Sequence, residues 1–240
     1  MPSFQFKEFT IQQEKSAMKV GTDSILLGSW VALDIENSIL DIGTGTGLLA
    51  LMLAQRSDAL TIDAVEIDDN AYTEAVTNFE NSPWGDRLFC YHTSIQEFAR
   101  EMIEDSDFQK DKYDLIIANP PYFDPSKIIS SRSIARQTHR LTHMALLKNT
   151  KKLLSKTGRL ALVIPFEIED FFIKLAQNLG FFVQRILRVK DTEKAIYKRS
   201  LVQFGFQKTQ LVVSEMILKN EDKSYSDSYI QLTKDFYLDF

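Results

Sequence analysis

The chain has 240 residues, 28 Lys and Arg against 33 Asp and Glu, and 44% hydrophobic residues. Length and composition fit one ordinary globular domain with a substantial core and exclude disordered and collagen-like chains. Cys90 is the single cysteine, which excludes a disulfide scaffold and leads us to expect a reducing, cytoplasmic setting.

Met1–Lys7 lacks an apolar h-region, so no signal peptide is expected. No stretch approaches the ~18 apolar residues of a membrane span. Phe4, Phe6, Phe9 and Ile11 alternate with polar residues and predict a short strand or hairpin. Asp23 is placed to cap a helix running through Ile25, Leu26, Leu27 and Trp30. Strands are then predicted over 38–42, 61–67, 88–92, 113–118, 158–165, 180–189, 200–207 and 211–218. Between and after them, helices are predicted over 48–56, 69–80, 95–103, 141–154 and 167–179, and a terminal amphipathic helix over 225–240. Strands alternating with helices need crossover connections and so give a mainly parallel sheet. Runs such as YDLIIA and LALVI are apolar throughout, as strands covered on both faces are. The expected organisation is an α/β core domain, residues 38–240, with a small N-terminal extension, residues 1–37, packed on it.

Ser38–Leu48 reads SILDIGTGTGL. Open α/β sheets bind ligands beyond the carboxyl ends of their strands. Gly43, Gly45 and Gly47 leave that strand end bare, so a ligand can approach the backbone and the N–H groups of the following helix. Glu66, near the end of the next strand, can accept the hydroxyl hydrogens of a ribose. The spacing G-x-G-x-G fits a dinucleotide loop poorly. Asp41 sets a carboxylate beside the loop and suits a ligand carrying positive charge. The pattern Asp41-x-Gly43-x-Gly45-x-Gly47 with Glu66 resembles the S-adenosylmethionine site of class I methyltransferases. That resemblance implies a Rossmann-like fold with a mainly parallel seven-stranded sheet, helices on both faces, and S-adenosyl-L-methionine as cofactor. It also implies an acid after the third strand to meet the adenine ring, where this chain has Ser94.

Asn119-Pro120-Pro121-Tyr122 follows the fourth sheet strand. Two prolines make a stiff, extended exit. The tetrapeptide resembles the (D/N/S)-P-P-(Y/F/W) motif of methyltransferases acting on planar amino groups of adenine, cytosine or glutamine. An exocyclic adenine amine is a poor nucleophile because its lone pair is delocalised into the ring. The Asn119 amide oxygen and the Pro120 carbonyl can each accept one of its N–H bonds and stabilise the positive charge that develops as nitrogen gains the methyl. Tyr122 offers a ring for base stacking, worth roughly 1–3 kcal/mol. His92, His139 and His143 form neither a triad nor a ligand pattern, and no metal site is expected.

Net charge −5 conceals a division. Residues 1–110 hold 7 basic and 19 acidic side chains, and residues 111–219 hold 19 and 9. Nine cations fall within residues 124–160 against the single acid Asp124. Of these, Lys127, Arg132, Arg136, Arg140, Lys148, Lys151 and Lys152 are the candidate RNA-binding residues, since they begin just past the tetrapeptide. Cations from Arg185 to Arg199 could extend the set.

Further strings carry a closer resemblance: Phe6-Lys7-x-Phe9, Met18–Asp23, Ile25–Gly28, Leu48–Arg56, Ser82-Pro83-Trp84, Asn119–Tyr122 and the ending Tyr225-Ser226…Phe236-Tyr237-Leu238. With them the chain resembles the tRNA1(Val) (adenine(37)-N6)-methyltransferase family over nearly its whole length. The resemblance implies methylation of the N6 amine of adenosine 37 in that tRNA. It also implies that Lys19, Gly21, Thr22 and Asp23 lie by the cofactor. A protein glutamine-N5 methyltransferase shares the tetrapeptide but carries a helical domain in front, for which about 37 residues are too few. Adenine methylation on another RNA or on DNA, and a non-enzymatic cofactor-binding module, stay open on the sequence.

Overall fold

The computed structural model describes residues 3–34, 36–106, 112–120 and 141–240. Strands β1 (Ser3–Gln5) and β2 (Thr10–Gln12) pair as an antiparallel hairpin. Helix α1 (Thr22–Trp30) leads to the main sheet. That sheet is built in the sequence β3 (Ser38–Ile42), α2 (Leu48–Arg56), β4 (Thr61–Glu66), α3 (Asp69–Glu80), β5 (Leu88–His92), α4 (Ile95–Glu104) and β6 (Tyr113–Ala118). It continues with α5 (His143–Leu153), β7 (Leu154–Pro165), a 3-10 turn (Phe166–Ile168), α6 (Glu169–Asn178), β8 (Phe182–Lys190), β9 (Tyr197–Gly205), β10 (Val212–Ile217) and α7 (Asp227–Thr233).

The strand order is β10-β8-β9-β7-β6-β3-β4-β5, parallel except for β9, which runs antiparallel to both neighbours. Eight strands form the sheet, one for each strand read from the sequence from residue 38 onward and one more than the resemblance implied, with β10 parallel to β8 at the edge. Alternation along each strand separates two cores. Ile39, Ile62, Leu115 and Ile117 face one way, with α1 and α2. Leu40, Ile42, Val65, Ile116 and Ala118 face the other, with α4, α5 and α6.

Three local expectations need correction. Asp23 does not cap α1; Gly21 stands at the N-cap with no side-chain bond, and Asp23 is paired with Arg199 instead. The terminal helix spans only Asp227–Thr233, capped by the Ser226 hydroxyl. Beyond it Tyr237 and Phe240 pack against Tyr229, with Phe240 edge-on to that ring at 6.0 Å and 82°, and ring packing replaces helical periodicity. Strand β7 starts earlier than predicted, at Leu154, because its first residue pairs with Tyr113 before a register shift.

The hairpin joins the two ends of the chain. Phe6 stacks on Phe9 at 4.7 Å, and Phe9 meets Trp84 edge-on. Lys7 Nζ donates to the carbonyl oxygens of Lys234 and Phe240. Aromatic burial and these cross-terminal bonds hold residues 3–12 against the core that carries α1 and α2.

The turn from β3 into α2 needs positive φ at Gly43 (69°), Gly45 (60°) and Gly47 (86°). At Gly47 a Cβ would also lie 2.5 Å from the Phe79 ring of α3, whereas at Gly45 it would meet nothing within 4 Å. Gly47→Ala is therefore expected to destabilise the chain by about 2–4 kcal/mol, backbone strain plus overpacking, and Gly45→Ala by about 1–2 kcal/mol from the backbone alone. Denaturant unfolding measures both, and equal losses would contradict the Phe79 contact as the difference.

Candidate active site

The carboxyl ends of β3, β4 and β6 bring together Asp41, the glycine turn, Glu66 and Asn119. The turn hangs from β4: Gly43 and Thr44 donate their N–H groups to Val65 O at 2.9 and 3.2 Å. Gly45 N donates to Glu66 Oε2 at 2.9 Å, while Ile67 N and Asp68 N donate to Oε1 at 2.8 and 2.9 Å. Three backbone donors fix the Glu66 carboxylate, and one lone-pair position on Oε2 is left for a ligand hydroxyl.

Asp41 is fully buried. Thr44 Oγ1 donates to its Oδ2 at 2.6 Å, and Oδ1 has no hydrogen-bond partner among the described residues. Burial raises its pKa to about 7 and the nearby Glu66 charge adds to the rise, against the opposing pull of the Thr44 hydroxyl and the Ala50 N–H. A buried carboxylate held half-ready for ionisation beside a bare backbone turn suits a cationic ligand.

Asn119 Nδ2 donates to Ser24 Oγ of α1 at 2.9 Å. Because the hydroxyl accepts there, the amide nitrogen is turned toward α1. Next to Ser24, Asp23 pairs with Arg199 at the start of β9, and Arg199 also approaches Asp191 at 3.7 Å. Pro120 is buried. Pro121, Tyr122, Lys127, Arg132, Arg136 and Arg140 lie outside the described residues.

Several expected cofactor contacts have structural work of their own. Lys19 Nζ donates to the carbonyl oxygens of Gln13, Glu14 and Ser16, so its ammonium ties the segment between β2 and α1. Gly21 is the N-cap of α1 and Thr22 its first residue. The Ser94 hydroxyl caps α4, accepting from Glu97 N at 3.2 Å and donating to Glu97 Oε2 at 3.0 Å. This reciprocal cap accounts for a serine at the position where the resemblance implied an acid.

Sequence reasoning missed Ser24, Glu74 and Asn78. Glu74 of α3 accepts the N–H groups of Lys15 and Ser16 at 2.7 and 2.8 Å. Asn78 donates to Thr46 O in the glycine turn at 2.8 Å and exchanges two bonds with the backbone of Gln12. Their one sequence signal is a polar side chain on the apolar stripe of α3, too common to read alone.

Lys148, Lys151 and Lys152 lie on α5, which leaves the same strand end as Asn119 and runs back along the sheet. Lys112, just before β6, donates to Lys152 O at 2.8 Å. Lys151 and Lys152 therefore sit about one strand length, roughly 20 Å, from Asn119. They are not beside the tetrapeptide, because the helix carries them toward the opposite edge. Lys190, Lys198 and Arg199 occupy the Asn119 edge instead. Cys90 is half-buried, and burial, then the charges of Asp41 and Glu66, push its thiol up to about 12, which removes it as a nucleophile at neutral pH. Among the described residues no His, Cys, Asp and Glu group could hold a metal ion, and no helix is long and apolar enough to cross a membrane.

Residues 15–185 match the family model described as the methyltransferase small domain. A protein from Christiangramia forsetii named tRNA1(Val) (adenine(37)-N6)-methyltransferase is 47% identical over 238 residues, covering 98% of this chain and 97% of its own. A protein of the same name from Flavobacterium psychrophilum is 44% identical, with 98% and 99% covered. Among solved structures, one titled a predicted O-methyltransferase from Agrobacterium tumefaciens superposes with a TM-score of 0.68 at 15% identity, covering 89% of this chain and 96% of that one. TYW2 from Pyrococcus horikoshii, in complex with MeSAdo, gives 0.57 at 13% identity, with 85% and 71% covered. Identity this low carries the fold alone, a class I S-adenosylmethionine methyltransferase fold.

S-adenosyl-L-methionine is the cofactor of this family, and the site fits it. A bare turn with room above Gly43 and Gly45 admits a ligand to the backbone. The unpartnered Asp41 Oδ1 faces a need for positive charge, and Glu66 keeps an acceptor for a ribose hydroxyl. In the free chain, raising pH from about 4 to about 7 costs stability, since the unfolded chain releases the Asp41 proton first and the folded chain holds it. A cationic cofactor favours the carboxylate, so cofactor affinity should rise as pH passes upward through about 7. Asp41→Asn should flatten that rise; calorimetric titration from pH 6 to 8 checks it, and an unchanged slope in the variant would exclude Asp41.

Proposed function

We propose, starting from the fact that this chain belongs to the tRNA1(Val) (adenine(37)-N6)-methyltransferase family, that it transfers a methyl group to the N6 amine of adenosine 37 in tRNA1(Val), giving N6-methyladenosine in the cytoplasm. The observation that carries this reading is Asn119-Pro120 at the end of β6, its amide turned by Ser24, on the sheet edge that also holds Asp41 and Glu66. In this reading residues 38–240 are the methyltransferase domain and residues 1–37 an extension packed on it.

The glycine turn, Asp41 and Glu66 would hold S-adenosylmethionine. When bound, it would supply an electrophilic methyl on a sulfonium, whose C–S bond breaks on transfer and leaves a neutral thioether. Asn119 Oδ1 accepts one N–H of the adenine amine and the Pro120 carbonyl accepts the other. Both are aimed where positive charge grows as the nitrogen lone pair leaves ring conjugation. The amine then loses one proton to water, which restores neutrality. Tyr122 would offer, by its residue type, a ring on which the base can stack. Rigid placement of the amine supplies the rest. The target base must be unstacked, as in a tRNA loop.

Ser24 is a positioning residue in this scheme. Asn119→Ala should lower kcat for tRNA by roughly 10²–10³-fold, the cost typical of one lost charge-stabilising group, with cofactor affinity largely kept. Ser24→Ala should lower kcat by about tenfold and Ser24→Thr should restore it, since threonine retains the acceptor. The test is incubation with methyl-labelled cofactor and tRNA lacking its own modification, then nucleoside analysis. N6-methyladenosine supports the assignment. Another methylated base moves the substrate, and labelled protein glutamine instead would favour the glutamine-N5 reading.

A further inference from the structure

Two groups of cations are described on this molecule, and they differ in what neutralises them. The group beside Asn119 is largely paired within the chain. Lys194 meets Glu221 at 2.7 Å, Lys198 meets Asp191, Arg199 meets Asp23, and Arg188 meets Glu169 at 2.7 Å. Such a cation surrenders a carboxylate before it takes a phosphate, so its net gain is small.

The second group lies on α5. Lys148, Lys151 and Lys152 are exposed, as is Lys156 just past the helix. None of the four is in an ion pair with another described residue, and α5 itself has no acidic residue. Leu146, Leu147 and Leu153 bury the inner face of the helix, which turns the lysines outward. Lys148 and Lys152 are four apart and share one stripe. The helix starts under the Thr142 cap at the Asn119 edge and runs about 16 Å along the sheet. At its foot is a cleft of about 1100 Å³ lined by Lys112, Lys151 and Lys156 with Ser38 and Thr61. Its lining carboxylate, Asp114, is tied to the Asn37 N–H at 2.9 Å. On one flank α4 carries the exposed acids Glu97, Glu101 and Glu104 against the exposed Arg100, and on the other α6 carries the exposed Asp170 balanced by the exposed Lys174. That asymmetry gives a polyanion one favourable lane.

We infer that the RNA presenting its base at Asn119 lays its backbone along α5, with phosphates on Lys148, Lys151 and Lys152 and the far end over the cleft at Lys112 and Lys156. This rests on the tRNA reading above and adds to it the path of the stem. The lysine track supplies salt-dependent affinity far from the chemistry, while the strand-end cations hold the site's own framework.

The test is tRNA binding by the full chain at several salt concentrations, parent against the combined variant Lys148→Glu, Lys151→Glu, Lys152→Glu. The expected result is at least tenfold weaker binding and a loss of about 2–3 from the slope of log K against log salt, close to one per phosphate contact. Cofactor affinity reports that the site is folded, and the same three positions changed to Gln provide a milder set with helix propensity kept. Reversal of Lys190, Lys194 and Lys198 should cost less. Unchanged affinity and slope in both α5 sets, with the parent still methylating tRNA, would overturn the track and leave the function standing. A parent that neither binds nor methylates tRNA would overturn the tRNA reading itself. Weakened binding to an acidic protein but not to tRNA would give the α5 face to that partner and overturn the track.

Discussion

Three left-handed glycine conformations within five residues set the rest of the site. They let the chain leave β3 and enter α2 with open space at Gly43 and Gly45. The N–H groups of Gly43, Thr44 and Gly45 are consumed by Val65 O and the Glu66 carboxylate, so the turn is held by the neighbouring strand. The same path brings the amino end of α2 over Asp41, which is buried with one oxygen unpartnered among the described residues. A carboxylate in that position is costly while empty and is relieved by a cation, which is how a small loop obtains selectivity for a charged cofactor.

Around the turn, the chain invests polar side chains in its own framework. Glu74 and Asn78 of α3 hold the segment between β2 and α1, and Asn78 reaches Thr46 in the turn as well. Lys19 closes that segment on itself through three carbonyls. The hairpin and the ends of the chain are fastened by ring packing and by Lys7. The N-terminal segment is thereby set beside the cofactor turn through α3 and beside Asn119 through Ser24 and α1. One continuous network connects the part that binds the cofactor with the part that orients the amide.

Charge follows the same division of labour. Cations at the strand ends beside Asn119 are matched by Asp23, Glu169, Asp191 and Glu221 and stiffen loops there. Cations on α5 have no such partners among the described residues. Net charge over the chain therefore says little about where an RNA would lie, and position along the fold decides which cations remain available.

Much of the architecture was legible in local pattern. SILDI, LLALMLAQR and YDLIIA carry their secondary structure in composition and period, and their bounds agree with the structure. The glycine turn and the Asn-Pro-Pro-Tyr run were legible because their chemistry needs particular residues at fixed spacing. What local pattern cannot carry is a partner far away in the chain. Ser24 meets Asn119 across 95 positions, Glu74 meets Ser16 across 58, and Asp23 exchanges a helix cap for Arg199 across 176. The pairing of β10 with β8 at the sheet edge, the shortened last helix and the distance from Lys152 to Asn119 are likewise outcomes of packing. The sequence by itself determined the alternating α/β order and the two motifs, because those depend on neighbours along the chain. Only the tertiary structure decided which polar groups are committed and which are open to a ligand, because hydrogen-bond partners are chosen in space.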